Sequence, residues 1–83
     1  MYKTLLGIAT ENQLIRADMK WDTTKSHDIE TLWLVEKSPD DNVVARYVIK
    51  VTKELNFPDR RNISYQKYTP DSLSLVSSGE LIA

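Results

Sequence analysis

The chain has no cysteine among its 83 residues. A disulfide, a thiolate metal site and a cysteine nucleophile are therefore excluded. Because small secreted domains commonly depend on disulfides, this absence favours a cytoplasmic protein. Glycine occurs only twice and proline three times, so the Gly-rich loops that bind nucleotide phosphates are missing. We expect no bound cofactor.

Long hydrophobic runs are missing as well. No stretch approaches the roughly 18 consecutive apolar residues of a membrane-spanning helix. The apolar stretch within residues 1–9 is too short for a signal peptide. The net charge is only −1, so the chain as a whole has no strong bias towards a charged partner. We expect neither membrane insertion nor secretion.

The residues that are present are typical of a small globular protein. Hydrophobic residues make up 41% and charged residues 28% of the chain, a balance that supports a folded core rather than a disordered segment. The length suits one domain, and no repeat or linker divides the sequence. We therefore predict a single globular domain that spans residues 1–83.

Two apolar runs flank a short polar break near the middle of the chain. Residues 29–37 and 43–52 are rich in β-branched and aromatic side chains, and the break between them reads Ser-Pro-Asp-Asp-Asn. Such residues favour strands, and the break contains the residue types that favour turns. We predict a central β-hairpin from these two segments.

Four other segments also indicate strands. They are residues 3–9, 13–21, 62–68 and 73–82. In the second, Ile15, Ala17, Met19 and Trp21 alternate with charged residues, the period of a half-buried strand. We predict a polar loop at 22–28, a connection at 56–61 because Pro58 interrupts regular structure, and a turn at 69–72. The resulting fold is all-β or β-rich α+β, a small antiparallel meander or barrel of about five to six strands, with one short helix as an option.

A helix over residues 39–55 is the competing prediction. Ser38 and Pro39 suit the first positions of a helix, and Val44, Val48 and Val51 recur at helical spacing. Against it, most of the apolar side chains here are β-branched and lose rotamer freedom in a helix. We favour the strand.

Catalytic motifs are not found. His27 is the only histidine, and although a neighbouring carboxylate could orient it as a general base, we interpret it as a solvent-exposed loop residue. Asp40 and Asp41 lack the glycine and distal glutamate of a calcium loop, so we assign them to the turn. The C-terminal serines have no Gly-x-Ser-x-Gly motif around them. We predict no catalytic or metal site and a protein that is not an enzyme.

The favoured function is binding of another protein. The chain carries Trp21, Trp33, Tyr47, Tyr65 and Tyr68, and aromatic residues are common anchors of protein interfaces. An inhibitor, a regulator and an assembly subunit all fit. Of the two tryptophans, we expect Trp33 to belong to the core. An exposed edge strand could also pair with a second copy of the chain to form a homodimer.

The alternative function is nucleic-acid binding by a small β-barrel. Residues 46–68 hold six Lys or Arg residues, interleaved with aromatic residues, against two acidic ones. Small barrels bind single strands through such a face, where bases stack and phosphates pair with cations. The alternatives differ in whether these residues lie together on one surface. The candidate contact residues, for a protein or a nucleic-acid partner, are Arg46, Lys50, Arg60, Arg61, Tyr65, Lys67 and Tyr68.

Overall fold

A computed structural model describes residues 2–81, apart from the side chain of Pro58. Five strands follow a short helix, α1 (Tyr2–Leu5), and form one antiparallel sheet in the order β1-β2-β3-β4-β5. The sheet is open, so the predicted antiparallel meander with one short helix is confirmed and a closed barrel is not formed. The strands are β1 (Gln13–Thr23), β2 (His27–Lys37), β3 (Val43–Glu54), β4 (Phe57–Tyr68) and β5 (Leu75–Leu81).

The central hairpin is confirmed as β2 and β3. Its turn is closed by the Ser38 N–H donating to the Asn42 carbonyl and the Asp41 N–H donating to the Ser38 carbonyl, each at 2.9 Å. Asp41 has a φ of 65°, a left-handed conformation that aspartate tolerates better than most residues. The competing helix over 39–55 is wrong, because the β-branched residues there pack on both sides of a strand.

The predicted strand at residues 3–9 is wrong. This segment is α1, followed by a turn in which the Gly7 N–H donates to the Thr4 carbonyl and the Ile8 N–H to the Lys3 carbonyl, at 3.1 and 3.0 Å. These two bonds, together with a φ of 67° at Gly7, form a Schellman helix end. Tyr2, Leu6 and Ile8 pack against the core of the sheet, so tertiary contact stabilises a helix too short to form alone.

A bulge in β1 changes which side chains share a face. The pairing of β1 with β2 shifts between Arg16 and Asp18, so Ala17 is the extra residue. We predicted one face for Ile15, Ala17, Met19 and Trp21, and this is wrong. Ile15 lies opposite Val35 and shares its face, whereas Met19 lies opposite Leu32 on the other face.

Two predicted connections are shorter than expected. The polar loop at 22–28 contracts to residues 24–26, and His27 is the first residue of β2. The connection at 56–61 is instead the start of β4, which runs through Pro58. Residues 58–60 have no partner in the register with β3, which passes from Phe57 to Arg61. Pro58 has no N–H to donate, and at this position it therefore costs no hydrogen bond between β3 and β4. The predicted turn at 69–72 separates β4 from β5, while Ile82 lies outside the described residues.

The two faces of the sheet are unequal. One, the covered face, packs against residues 2–8, and its core consists of Leu32, Leu34, Ala45, Tyr47, Ile49, Val51 and Ile63. On the other, the open face, no described residue outside the sheet and its turns covers the side chains. Its central side chains, given by the strand register, are Ile15, Asp18, Trp33, Val35, Arg46, Val48, Lys50, Gln66 and Tyr68.

Candidate functional site

The seven candidate contact residues do not lie on one surface. Arg46, Lys50 and Tyr68 lie on the open face. Tyr65, Lys67 and Arg61 pair with Ile49, Tyr47 and Lys53, and therefore lie on the covered face. Arg60 falls in the irregular start of β4, where it has no partner in the β3 register.

Several of the basic groups are already engaged within the protein. The Arg60 guanidinium lies 4.5 Å from the centre of the Phe57 ring and 3.9 Å from the Glu54 carboxylate. Lys67 places its ammonium 5.8 Å from the centre of the Tyr47 ring. Nucleic-acid binding by residues 46–68 stays a prediction. Because the seven candidate residues are divided between the two faces of the sheet, a nucleic-acid strand bound to one face could not contact all of them.

The central strand β2 is apolar on both of its faces between Leu32 and Val35. Leu32 and Leu34 are buried in the core, and Trp33 and Val35, which alternate with them, are partly buried on the open face. On β3, Val48 lies on the open face between Arg46 and Lys50, beside Trp33. A strand with one solvated face alternates apolar and polar residues, whereas a nearly continuous apolar run is typical of a strand covered on both faces. Our expectation that Trp33 belongs to the core is wrong, because Trp33 lies on the open face and is only partly buried.

A hollow of about 260 Å³ lies on the open face. The β1 bulge bounds one side with the small side chain of Ala17, and the turn after β4 bounds the other with Ser72. Trp33, Arg46 and Tyr68 all line it, and these three residue types are the ones that most often anchor protein interfaces. The full lining is Ala17, Trp33, Leu34, Val35, Arg46, Tyr47, Val48, Tyr68 and Ser72.

Hydrogen bonds hold the turn that bounds this hollow. The Asp71 carboxylate accepts hydrogen bonds from the Thr69 hydroxyl and the Leu73 N–H. The bond from Thr69, and to a smaller extent the bond from Leu73, hold the pKa of Asp71 below its usual value. Arg46 reaches across to the turn, and its Nε donates to the Pro70 carbonyl at 2.7 Å. The guanidinium and the turn therefore fix each other at one end of the hollow.

A second depression of about 430 Å³ lies at the opposite end of the sheet. It is lined by groups of both signs, among them His27, Glu54, Arg60 and Arg61. The Nδ1 of His27 lies 2.8 Å from the Ser26 hydroxyl, and the Asp28 carboxylate accepts a bond from the Thr23 hydroxyl at 3.0 Å. Asp28 is therefore engaged by Thr23, and no hydrogen bond joins it to the histidine within residues 2–81.

The two edge strands differ in how they are protected from pairing. β1 combines a bulge with four charged residues, whereas β5 carries one charged residue, Glu80. Bulges and charges are common devices against edge-to-edge association. The homodimer through an edge strand stays a prediction, and β5 is the edge that suits it better.

Sequence reasoning missed Ala17 and the role of Trp33. The available signal was the run Leu32-Trp33-Leu34-Val35, which has no polar residue to occupy a solvated face. Across the described part of the chain, no helix is long and apolar enough to cross a membrane. No group of three or more metal-ligating side chains is found there either. Comparisons with protein-family models, with curated proteins and with solved structures gave no match.

Proposed function

We propose that this chain is a non-enzymatic binding protein whose partner is another protein, bound across the open face. An inhibitor, a regulator or an assembly subunit would act in this way. The observation that carries the proposal is the apolar character of β2 on both faces, at Leu32–Val35, with Val48 of β3 beside Trp33 on the open face. Residues 2–8 cover one side, and a partner would cover the other.

The composition of the open face supports a protein partner. Its centre contains Trp33, Val35 and Val48, and polar or charged residues such as Asp18 and Lys50 surround them. An apolar centre with a polar rim is the usual organisation of a protein interface.

Photo-crosslinking from one strand tests the proposal. Lys50 and Lys53 are both exposed on β3, but Lys50 lies on the open face and Lys53 on the covered face. A benzoylphenylalanine placed at residue 50 should form a defined protein adduct in the cells that produce this chain, and one at residue 53 should not. Absence of an adduct at residue 50, or equal adducts at both positions, would contradict the proposal.

Replacing Trp33 by alanine should separate binding from folding. Because the ring is only partly buried, we expect the free energy of unfolding to fall by about 1–2 kcal/mol, measured by urea denaturation. The adduct from residue 50 should disappear in the same variant. An adduct of unchanged yield would show that Trp33 is not an anchor of the interface.

Nucleic-acid binding is the other outcome that must be distinguished. Adducts at residue 50 should survive nuclease, which would degrade an adduct with nucleic acid. We also expect labelled single- and double-stranded nucleic acids to show no anisotropy change with tens of micromolar protein. Binding that weakens steeply between about 50 and 200 mM salt would indicate counterion release and would favour the alternative.

A further inference from the structure

We infer that the hollow on the open face receives an apolar side chain of the partner, while Arg46 pairs with an aspartate or glutamate beside it. The occupant is thus a partner segment in which an apolar residue neighbours an acidic one. This inference rests on the proposed function and specifies the chemistry of the partner.

The size of the hollow suits one side chain. Its volume of about 260 Å³ lies below the range of roughly 300–1,000 Å³ that holds drug-sized ligands. Trp33, Val48 and the Tyr68 ring supply apolar surface, and Ala17 leaves room because its side chain is small. A single aromatic or large aliphatic group would fill this space and remove apolar surface from water on both partners.

The charge at one end of the hollow determines what lies beside that group. The Arg46 guanidinium uses its Nε–H on the Pro70 carbonyl, which leaves its terminal N–H groups available. Among residues 2–81, no carboxylate lies within 4.0 Å of Arg46 or of Lys50, the next basic residue on the same face of β3. Guanidinium and carboxylate groups match in geometry, and such pairs form stronger hydrogen bonds than neutral ones.

The position of Asp18 gives the occupant a direction. Asp18 lies opposite Trp33 on β1, whereas Arg46 lies opposite Val35 on β3. The two residues are separated by two strand spacings, about 10 Å, and by a further two residues along the strand direction. A carboxylate of the partner would be repelled by Asp18 on the β1 side and attracted by Arg46 on the β3 side. The acidic residue of the partner therefore lies towards the turn at 69–72, with the apolar group over Trp33.

Blocked dipeptides that differ in one charge test the inference. The probes are N-acetyl-phenylalanyl-glutamate amide and its glutamine counterpart, titrated into ¹⁵N-labelled protein and followed by NMR. We expect both to shift the Trp33 indole N–H and the Val48 and Ser72 amides, with the acidic probe binding about three- to tenfold more tightly.

Variants of the two faces provide the control. Arg46→Gln should bring the two dipeptides to equal affinity, and Arg46→Lys should restore part of the difference, since it keeps the charge but not the planar geometry. Lys53→Gln, on the covered face of the same strand, should leave the difference unchanged. Equal affinity in the unaltered protein, or shifts confined to other residues, would overturn the inference.

The proposed function and this inference can fail separately. An adduct at residue 50 that persists in Arg46→Gln, together with equal binding of the two dipeptides, would overturn the acidic occupant and leave the protein partner standing. Charge-dependent binding of the dipeptides without any adduct at residue 50 would overturn the protein partner and leave a carboxylate site for another ligand.

Discussion

Replacing Ile49 by alanine should be the most destabilising single change in this protein. Ile49 is fully buried, at 0% exposure, and lies between Leu32 and Tyr65 in the sheet register. Removing its side-chain carbons leaves a cavity that the surrounding strands cannot close, at a cost of about 2–5 kcal/mol. A chain this small has a total stability near the low end of the usual range of roughly 5–15 kcal/mol, so a urea melt should show a large loss of folded protein at room temperature.

Ile15→Ala is the matched control. The same side chain is 41% exposed on the edge strand β1, so its removal should change the free energy of unfolding by less than about 1 kcal/mol. Equal losses at positions 15 and 49 would show that the core does not lie between the sheet and residues 2–8.

The second large effect should come from Tyr47→Phe. Glu36 is buried, and its carboxylate accepts hydrogen bonds from the Tyr47 hydroxyl at 2.8 Å and the Asn12 amide at 2.6 Å. Loss of the hydroxyl removes a donor from a buried carboxylate, which costs about 1–3 kcal/mol. Denaturant titration measures the loss, and an unchanged midpoint would show that the carboxylate does not depend on this bond.

The same contact predicts a dependence of stability on alkaline pH. Burial, followed by the hydrogen bond and the charge of Glu36, raises the pKa of Tyr47 well above its ordinary value of 10.0. Because the folded pKa exceeds the unfolded one, the contribution is fully present below pH 10 and is lost as the pH rises from there towards the folded pKa. Urea midpoints between pH 8 and pH 11.5 should fall above pH 10.

Tyr2 contributes in the same direction and must be controlled. Burial and then Glu30 raise the pKa of Tyr2, while Arg61 lowers it. The decrease in the urea midpoint above pH 10 should therefore be mostly absent in Tyr47→Phe and reduced to a smaller extent in Tyr2→Phe. A profile that stays equally steep in Tyr47→Phe would assign the effect to other groups.

The central hairpin could be predicted because local and tertiary preferences agree there. β-branched side chains, an alternating pattern and a turn-forming break all favour the same structure at 29–52. The helix α1 could not be predicted in this way, because four residues gain too little from their own hydrogen bonds. Packing of Tyr2, Leu6 and Ile8 on the sheet stabilises it, and the one local signal was Gly7 at its end.

The candidate site was harder to predict than the fold. Alternation assigns faces correctly only while the register is unbroken, and the bulge at Ala17 exchanges the faces of the residues after it. The basic and aromatic residues of 46–68 looked like one group in sequence, but neighbours on a strand point to opposite sides. The hollow depends on that bulge together with the turn at 69–72, two irregularities that no periodic pattern contains.

The meander order of the sheet has a consequence for how the chain folds. Every strand pairs only with its neighbours in sequence, so each hairpin closes a short loop and loses little chain entropy. Proteins built from such local contacts fold faster than sandwiches of similar size, in which distant segments must meet first. The exception is the N-terminal segment, which packs against core residues of β2, β3 and β4 that are distant from it in sequence. Tyr2, Leu6 and Ile8 pack against a core that the strands must first form, so we expect docking of this segment to be a late step of folding.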